Sequence, residues 1–444
     1  MISAPPDDIA VALLSARDPL ANPYFDRELA QSYFLFDAWV GGERRVNLHP
    51  LLLSPELHRQ AIAAAKDAAR LLSHVAGRAL HDDDEAAHYR FAPDVRRLAC
   101  ASRDGHDHAT LMRVDLLLGQ DGFVACEINA DCPGGHNEAL GLPRLAQAAG
   151  FWNGHNPTTL CDDLTTALMQ MAGDDGAIAL IYATAYAEDL QVCALIQREL
   201  ARRGARAILC SPTALRRRGR RLYVGDQAIG ALYRYFPTEF MEGQRNLDDI
   251  AAVVAAGGVR TLSNFTAIYT QSKLAMARAH ALAATLPADL APALRRIPST
   301  CALSDVPADQ LTHERDGWVI KRALGRVGEE VFVGSLLSAE DWARACQMAF
   351  DDHARGEPWI AQRFVPQRPI PSPYGPLLVT LGAYLLNGSP VGYFARLTPD
   401  SHASHSALCL PVFVRPASPD GGDPEHDPSP RGQHAAAAPP PGRA

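Results

Sequence analysis

The chain has 444 residues, 47% of them hydrophobic and 21% charged, the make-up of a globular protein long enough for two or three domains. Its net charge of −8 indicates no general role in binding polyanions. Nine cysteines, an odd number with no C-x-x-C pair, argue for reduced thiols in a cytoplasmic protein and against a disulfide framework or zinc ribbon.

The amino-terminal residues carry Asp7 and Asp8 and no basic-then-apolar pattern, so no signal peptide is expected. No uninterrupted apolar run reaches the roughly 18 residues of a transmembrane helix. Neither a membrane nor nucleic acid is therefore an expected partner. Basic residues are nearly all arginine, and the only lysines are Lys66, Lys273 and Lys321. Such a bias suggests that lysine is kept where a compact ammonium is needed.

Residues 1–105 read as a mainly helical region. Ser54-Pro55-Glu56 opens a helix with a serine cap and a proline in the first turn. Lys66 falls on its solvated face. The run His81 to Glu85 reads as a helix start, because adjacent acids on a helix point in different directions. Tyr33, Phe34, Phe36 and Trp39 read as core.

Residues 106–175 open on Leu111 to Arg144, the stretch around which the chain is organised. Two apolar runs flank Gly119-Gln120-Asp121-Gly122, a β-hairpin signature. Alternation along a strand puts Arg113 and Asp115 on one face, with Met112, Val114 and Leu116 opposite. On the partner strand it puts Glu127 and Asn129 on one face and Val124, Cys126 and Ile128 on the other. A three-residue loop of Gln120, Asp121 and Gly122 pairs Gly119 with Phe123. Asp115 then stands opposite Glu127, and Arg113 opposite Asn129. Two carboxylates so placed repel unless a positive charge lies between them. Hard oxygen ligands on one face suit Mg²⁺, which completes its octahedron with waters and phosphates. Pro133-Gly134-Gly135 follows as a tight turn that lets backbone approach a ligand. The rest reads as helices, with His136, Asn137 and Glu138 as substrate-side candidates.

Residues 176–260 show a strand at Ala177–Tyr182, an amphipathic helix at Asp189–Arg203 and a strand at Ala207–Cys210. This is a βαβ pattern, which favours a parallel sheet. No G-x-G-x-x-G follows the first strand, so a dinucleotide site is unsupported. The run Arg216 to Arg221 reads as a charged hairpin tip. Arg234, on a further strand, is a substrate-side candidate.

Residues 261–415 carry Lys273 at a helix start and Lys321 at the end of a strand. A loop holding Gly325 and Gly328 follows Lys321 and leads to the strand Val331–Val333. Strand, glycine loop and strand make a flap whose backbone N–H groups can cover phosphates. Trp359 to Val365 reads as a strand containing Gln362. Ala383–Gly388 and Val391–Arg396 read as a hairpin. Residues 416–444, rich in Pro, Gly and Ala, read as a disordered tail.

R-x-D, a hairpin, then E-x-N-x-x-x-P-G resembles the metal-binding strand pair of circularly permuted ATP-grasp proteins, the glutathionylspermidine synthase-like group. The lysine pair strengthens the likeness. The resemblance implies a mixed α/β and α+β architecture: a circularly permuted ATP-grasp fold, a pre-ATP-grasp α/β domain and the helical amino-terminal region. It implies Mg²⁺ on Asp115, Glu127 and Asn129. It places Arg113 on the phosphoryl side, Lys273, Lys321 and Arg396 against ATP phosphates, Gly325 and Gly328 over them, and Gln362 beside the adenine. The implied activity is ATP-dependent ligation of a small-molecule or peptide carboxylate to an amine. A phosphotransferase and a non-catalytic nucleotide-binding protein are the alternatives. A homodimer is the assembly expected alongside these small partners.

Overall fold

The structure, a computed structural model, describes residues 8–12, 23–150, 154–174, 176–325, 330–400 and 406–416. Gly328 and, beyond Pro416, the expected tail lie outside these residues. At the centre is a five-stranded antiparallel sheet in the order Leu408–Leu410, Ser389–Thr398, Leu378–Leu386, Leu111–Gly119, Gly122–Asn129. Two hairpins from distant parts of the chain are thus joined edge to edge, because Leu111–Gly119 pairs with Leu378–Leu386.

One face of this sheet is apolar. Val114, Leu116, Leu118, Phe123, Ala125, Ile128, Val379 and Leu381 are buried in one cluster with the helix Pro55–Arg78. That helix starts as expected: Ser54 caps it by accepting a hydrogen bond from the Leu57 N–H. Its inner face is largely alanine, Ala61, Ala64, Ala65 and Ala68, which lets it lie close to the strands. The opposite face of the sheet carries the polar residues.

The hairpin departs from expectation at its tip. Gly119 pairs with Gly122, so the loop is two residues, Gln120 and Asp121. Asp115 nevertheless faces Glu127 and Arg113 faces Asn129. A bulge between Asp115 and Leu116 reconciles the two ends, leaving Cys126 as the extra residue. The bulge also switches faces. Phe123 and Ala125 enter the core, where Val124 and Cys126 were expected.

A second antiparallel sheet runs Thr300–Ala302, Trp359–Arg363, Trp318–Arg322, Val331–Val333. The helix Ala339–Ala354 covers it through Trp342, Ala345 and Ala349, packed with Ile320, Trp359 and Ala361. A third sheet contains the βαβ unit. Ala177–Tyr182 is parallel to Ala207–Cys210, and the helix Ala187–Arg202 connects them. Its far edge is the hairpin Arg216–Arg218 and Arg221–Val224, whose Arg216, Arg217 and Arg218 are exposed. Charged side chains on an edge strand discourage pairing with another chain, which accounts for the arginine run.

The amino-terminal region carries helices at Pro55–Arg78, Asp83–Ala87 and Pro93–Ala101. Before Pro55 the described residues contain one helix, Pro23–Tyr33, and short strands. Ile9–Val11 and Leu51–Leu53 form a small sheet with Val412–Val414. Phe36 and Trp39, expected in the core, are 65% and 52% exposed. Phe36 precedes a short hairpin, Trp39–Val40 with Glu43–Arg44, in which Trp39 stacks on Arg44 instead of entering the core. Among the described residues no helix is long and apolar enough to cross a membrane.

Candidate active site

The polar face of the central sheet collects residues from three strands. Asp115 lies at its centre and is fully buried. Arg113 Nε and Nη2 bind its two carboxylate oxygens at 2.7 and 2.9 Å, and Arg396 Nη2 binds Oδ2 at 2.7 Å. Arg396 comes from Ser389–Thr398, two strands away from the aspartate. The Asn129 amide sits 3.3 Å from Asp115 Oδ2 and 3.3 Å from Glu127 Oε1. The three oxygen-bearing residues therefore share one point on the sheet.

Both expected lysines converge here. Lys273 Nζ lies 3.4 Å from Glu127 Oε2 and donates to the Gly325 carbonyl at 3.0 Å. Lys321 Nζ donates to the Cys126 carbonyl at 3.2 Å and to Gln362 Oε1 at 2.9 Å. The bulge is what turns the Cys126 carbonyl toward Lys321. Gln362 is buried, and its amide nitrogen donates to Thr300 Oγ1 at 3.0 Å. Both ends of that amide are engaged, so its visible work is holding Lys321.

Two cavities meet at these residues. One, of about 90 Å³, is lined by Leu117, Val319, Lys321, Val333, Gln362 and Phe364, between the central sheet and the second sheet. The other, of about 440 Å³, is lined by Arg113, Asn129, Gly134, Gly135, Tyr235 and Phe394. Glu127 and Arg396 line both.

Over residues 53–414 the sequence matches the family described as glutathionylspermidine synthase preATP-grasp. The chain belongs to that family. Every described residue from Arg113 to Arg396 named above falls inside the match. No curated protein matches the chain in sequence. Among solved structures, a glutathione synthetase-like effector (GSS30) from Globodera pallida in its apo form aligns with a TM-score of 0.54 at 14% identity. That alignment covers 90% of this chain and 98% of the effector, and it shows a shared fold. A putative gamma-glutamylcysteine synthetase from Methylobacillus flagellatus aligns with a TM-score of 0.41 at 16% identity, over 73% of this chain and 84% of that one.

In this member of the glutathionylspermidine synthase preATP-grasp family, electrostatics keep Glu127 ionised. Burial pushes the Glu127 carboxyl up, but Lys273, Lys321 and Arg396 outweigh it and hold the group well below the usual carboxylate range. Burial works against the Arg113 charge too, and the Asp115 carboxylate more than offsets it. His136 is pressed down to about 3, first by burial and then by Arg113, so it is neutral.

Several neighbours were not foreseen. Gly134 O accepts from Arg113 Nη1 at 2.9 Å and from the Tyr384 hydroxyl at 2.5 Å, which fixes the Pro133–Gly135 turn. Arg45 is buried and joins Glu138, at 2.8 Å, to Asp37, at 2.5 Å, on the wall of the larger cavity. Asp37 and Arg45 lie outside the family-matched residues, and nothing in their local sequence marks them. Gly382 did carry a signal, since a glycine inside a strand suggests close backbone approach.

Three substrate-side candidates make structural contacts, and of these Asn137 also lines the larger cavity. Arg234 is fully buried and pairs with the equally buried Asp131 at 2.7 Å, tying the βαβ unit to the loop after the hairpin. Asn137 donates to the carbonyls of Tyr33 and Gln191 at 2.7 and 3.1 Å. His136 contacts the Tyr233 hydroxyl at 3.2 Å beneath the sheet.

Proposed function

We propose that the protein is an ATP-dependent carboxylate–amine ligase on a circularly permuted ATP-grasp fold. The order of its parts supports the permuted reading: the acid-bearing hairpin precedes both lysines in sequence. The observation that carries the function is the junction of the two cavities at Glu127 and Arg396. One cavity has Lys321 and a flap strand, and Lys273 holds the Glu127 that both cavities share, as a nucleotide site needs. The other has Arg113 and room for a carboxylate and an amine.

The reaction runs in two steps. A substrate carboxylate oxygen attacks the terminal phosphorus of ATP, releasing ADP and forming an acyl phosphate. The amine nitrogen then attacks the acyl carbon, phosphate leaves, and the nitrogen gives up a proton to yield the amide. The protein's part is positioning and charge neutralisation. Lys273, Lys321 and Arg396 offset phosphate charge, and Arg113 orients the acyl phosphate.

The donors present fit Mg²⁺ in kind: two carboxylates and one amide converge. Among the described residues no group of three His, Cys, Asp or Glu forms a richer site, so waters and phosphate oxygens would complete the shell. Amide oxygen and nitrogen are interchangeable by a flip, so Asn129 can turn its oxygen to the same point. When bound by Asp115, Glu127 and Asn129, the ion would supply positive charge to offset that of the phosphates. A screen of carboxylate and amine pairs for ADP release, with mass analysis of the product, tests this reading. ADP release that depends on both partners with an amide product supports it. A phosphorylated carboxylate as the end product would replace it with a kinase.

A further inference from the structure

Each carboxylate proposed for the metal is engaged by a cation of the site itself. Asp115 is held by Arg113 and Arg396. Glu127 is held by Lys273. Lys321 stands close enough to bias Glu127 electrostatically, yet its ammonium contacts Gln362 and the Cys126 carbonyl and, among the described residues, no carboxylate. Two acids are thus surrounded by four cations. A free divalent ion approaching them meets a positive field and must displace an ammonium or a guanidinium. A metal–nucleotide complex is an anion, and its phosphates give the displaced cations new partners.

We propose that Lys273 is a specificity-determining residue: by occupying Glu127 it makes the site refuse the free metal ion and admit it only together with a nucleotide. This rests on the reading of Asp115, Glu127 and Asn129 as the metal point and of the lysines as phosphate contacts. Lys273 suits the task because its second partner, the Gly325 carbonyl, lies at the start of the flap loop. Moving Lys273 onto a phosphate would release Glu127 and loosen that carbonyl in one displacement. Binding of metal and nucleotide is then reciprocally coupled.

Mn²⁺ and ADP are suitable probes, with the full-length chain and free Mn²⁺ read by electron paramagnetic resonance. Mn²⁺·ADP formed without protein is subtracted. The wild type should bind Mn²⁺ at least about tenfold more tightly with ADP than without. Lys273→Met should gain at least about tenfold for Mn²⁺ alone, while Lys321→Met, which removes an equal charge without freeing Glu127, should gain less than about threefold. Lys273→Arg, which keeps a cation at Glu127, should retain the refusal. Lys273→Gln is the second variant should Lys273→Met melt early.

Equal Mn²⁺ affinity with and without ADP in the wild type would overturn the gate. So would an equal gain in the two lysine variants. If Glu127→Gln also abolishes that Mn²⁺ binding, the metal reading survives the loss of the gate. If Glu127→Gln leaves Mn²⁺·ADP binding intact, the metal reading itself fails and takes the gate with it.

Discussion

Gly382 stands directly opposite Asp115 on the adjoining strand, and a side chain there has no room. A Cβ at this position would lie 2.8 Å from Arg113 Cδ and 3.0 Å from Asp115 Oδ1. The absence of a side chain at Gly382 is what lets the arginine fold back along its strand and grip the aspartate with both nitrogens.

Gly382→Ala should therefore push Arg113 off Asp115. Overpacking of this kind costs about 1–3 kcal/mol, and misplacement of Arg113 should lower turnover at least about tenfold. Denaturant unfolding and ADP release measure the two effects. Wild-type values for both would mean that the Arg113–Asp115 geometry is not needed.

The two acids should respond differently to mutation. Asp115 is sealed, with 0% side-chain exposure against 23% for Glu127. Asp115→Ala would leave two guanidinium groups facing each other without their counter-charge, which costs about 3–5 kcal/mol. Glu127→Gln should cost clearly less, because its carboxylate opens to the cavity. Both should abolish metal-dependent turnover. Equal loss of unfolding free energy in the two variants would contradict the difference in burial.

His136 makes stability depend on pH. Its folded-state value, about 3, lies below that of an unfolded histidine, about 6.5. The unfolded chain therefore takes up the proton first. The contribution is fully present above about pH 6.5 and is lost as pH falls toward 3, reaching about 2 kcal/mol of loss at pH 5. His136→Gln should flatten this part of the curve. Unfolding free energies at pH 7.5 and pH 5, compared between wild type and variant, decide the matter. An unchanged pH slope in the variant would assign the loss to other groups.

The pairing of Asp115 with Glu127 was legible because two short-range signals, strand alternation and a glycine turn, act over a few residues. The tip was misread by one residue, and the bulge at Cys126 cancelled the error before it reached the acids. Nothing local distinguishes Cys126 from its neighbours, so the Cys126 carbonyl as a partner of Lys321 could not be foreseen. The strands Ile9–Val11 and Leu51–Leu53 were missed for a different reason. They are three residues each, and Leu51–Leu53 pairs on its other side with Val412–Val414, at the far end of the chain. Arg45 and Asp37 reach the larger cavity only through such long-range packing.

Lys321 gives the most direct test of whether lysine is kept here for its shape. Its ammonium is buried between the Gln362 amide oxygen at 2.9 Å and the Cys126 carbonyl at 3.2 Å, beside the smaller cavity. A guanidinium is a planar fork of different reach and donor directions, so Lys321→Arg keeps the charge but cannot keep both contacts. A charge-assisted contact is worth about 1.5–3 kcal/mol, so ATP binding or turnover should fall at least about tenfold. Lys273→Arg should also slow turnover, because its ammonium is hemmed in by Glu127 and the Gly325 carbonyl. Lys66→Arg, on the exposed side of the helix Pro55–Arg78, should be silent. Gln362→Leu would remove the acceptor that aims Lys321 and should weaken ATP binding while Lys321 itself remains. The readouts are ATP affinity by calorimetry and ADP release under saturating substrates. A Lys66→Arg variant as damaged as Lys321→Arg would refute the link between lysine and phosphate chemistry, and a Lys321→Ala variant with normal ATP affinity would remove the nucleotide from the smaller cavity.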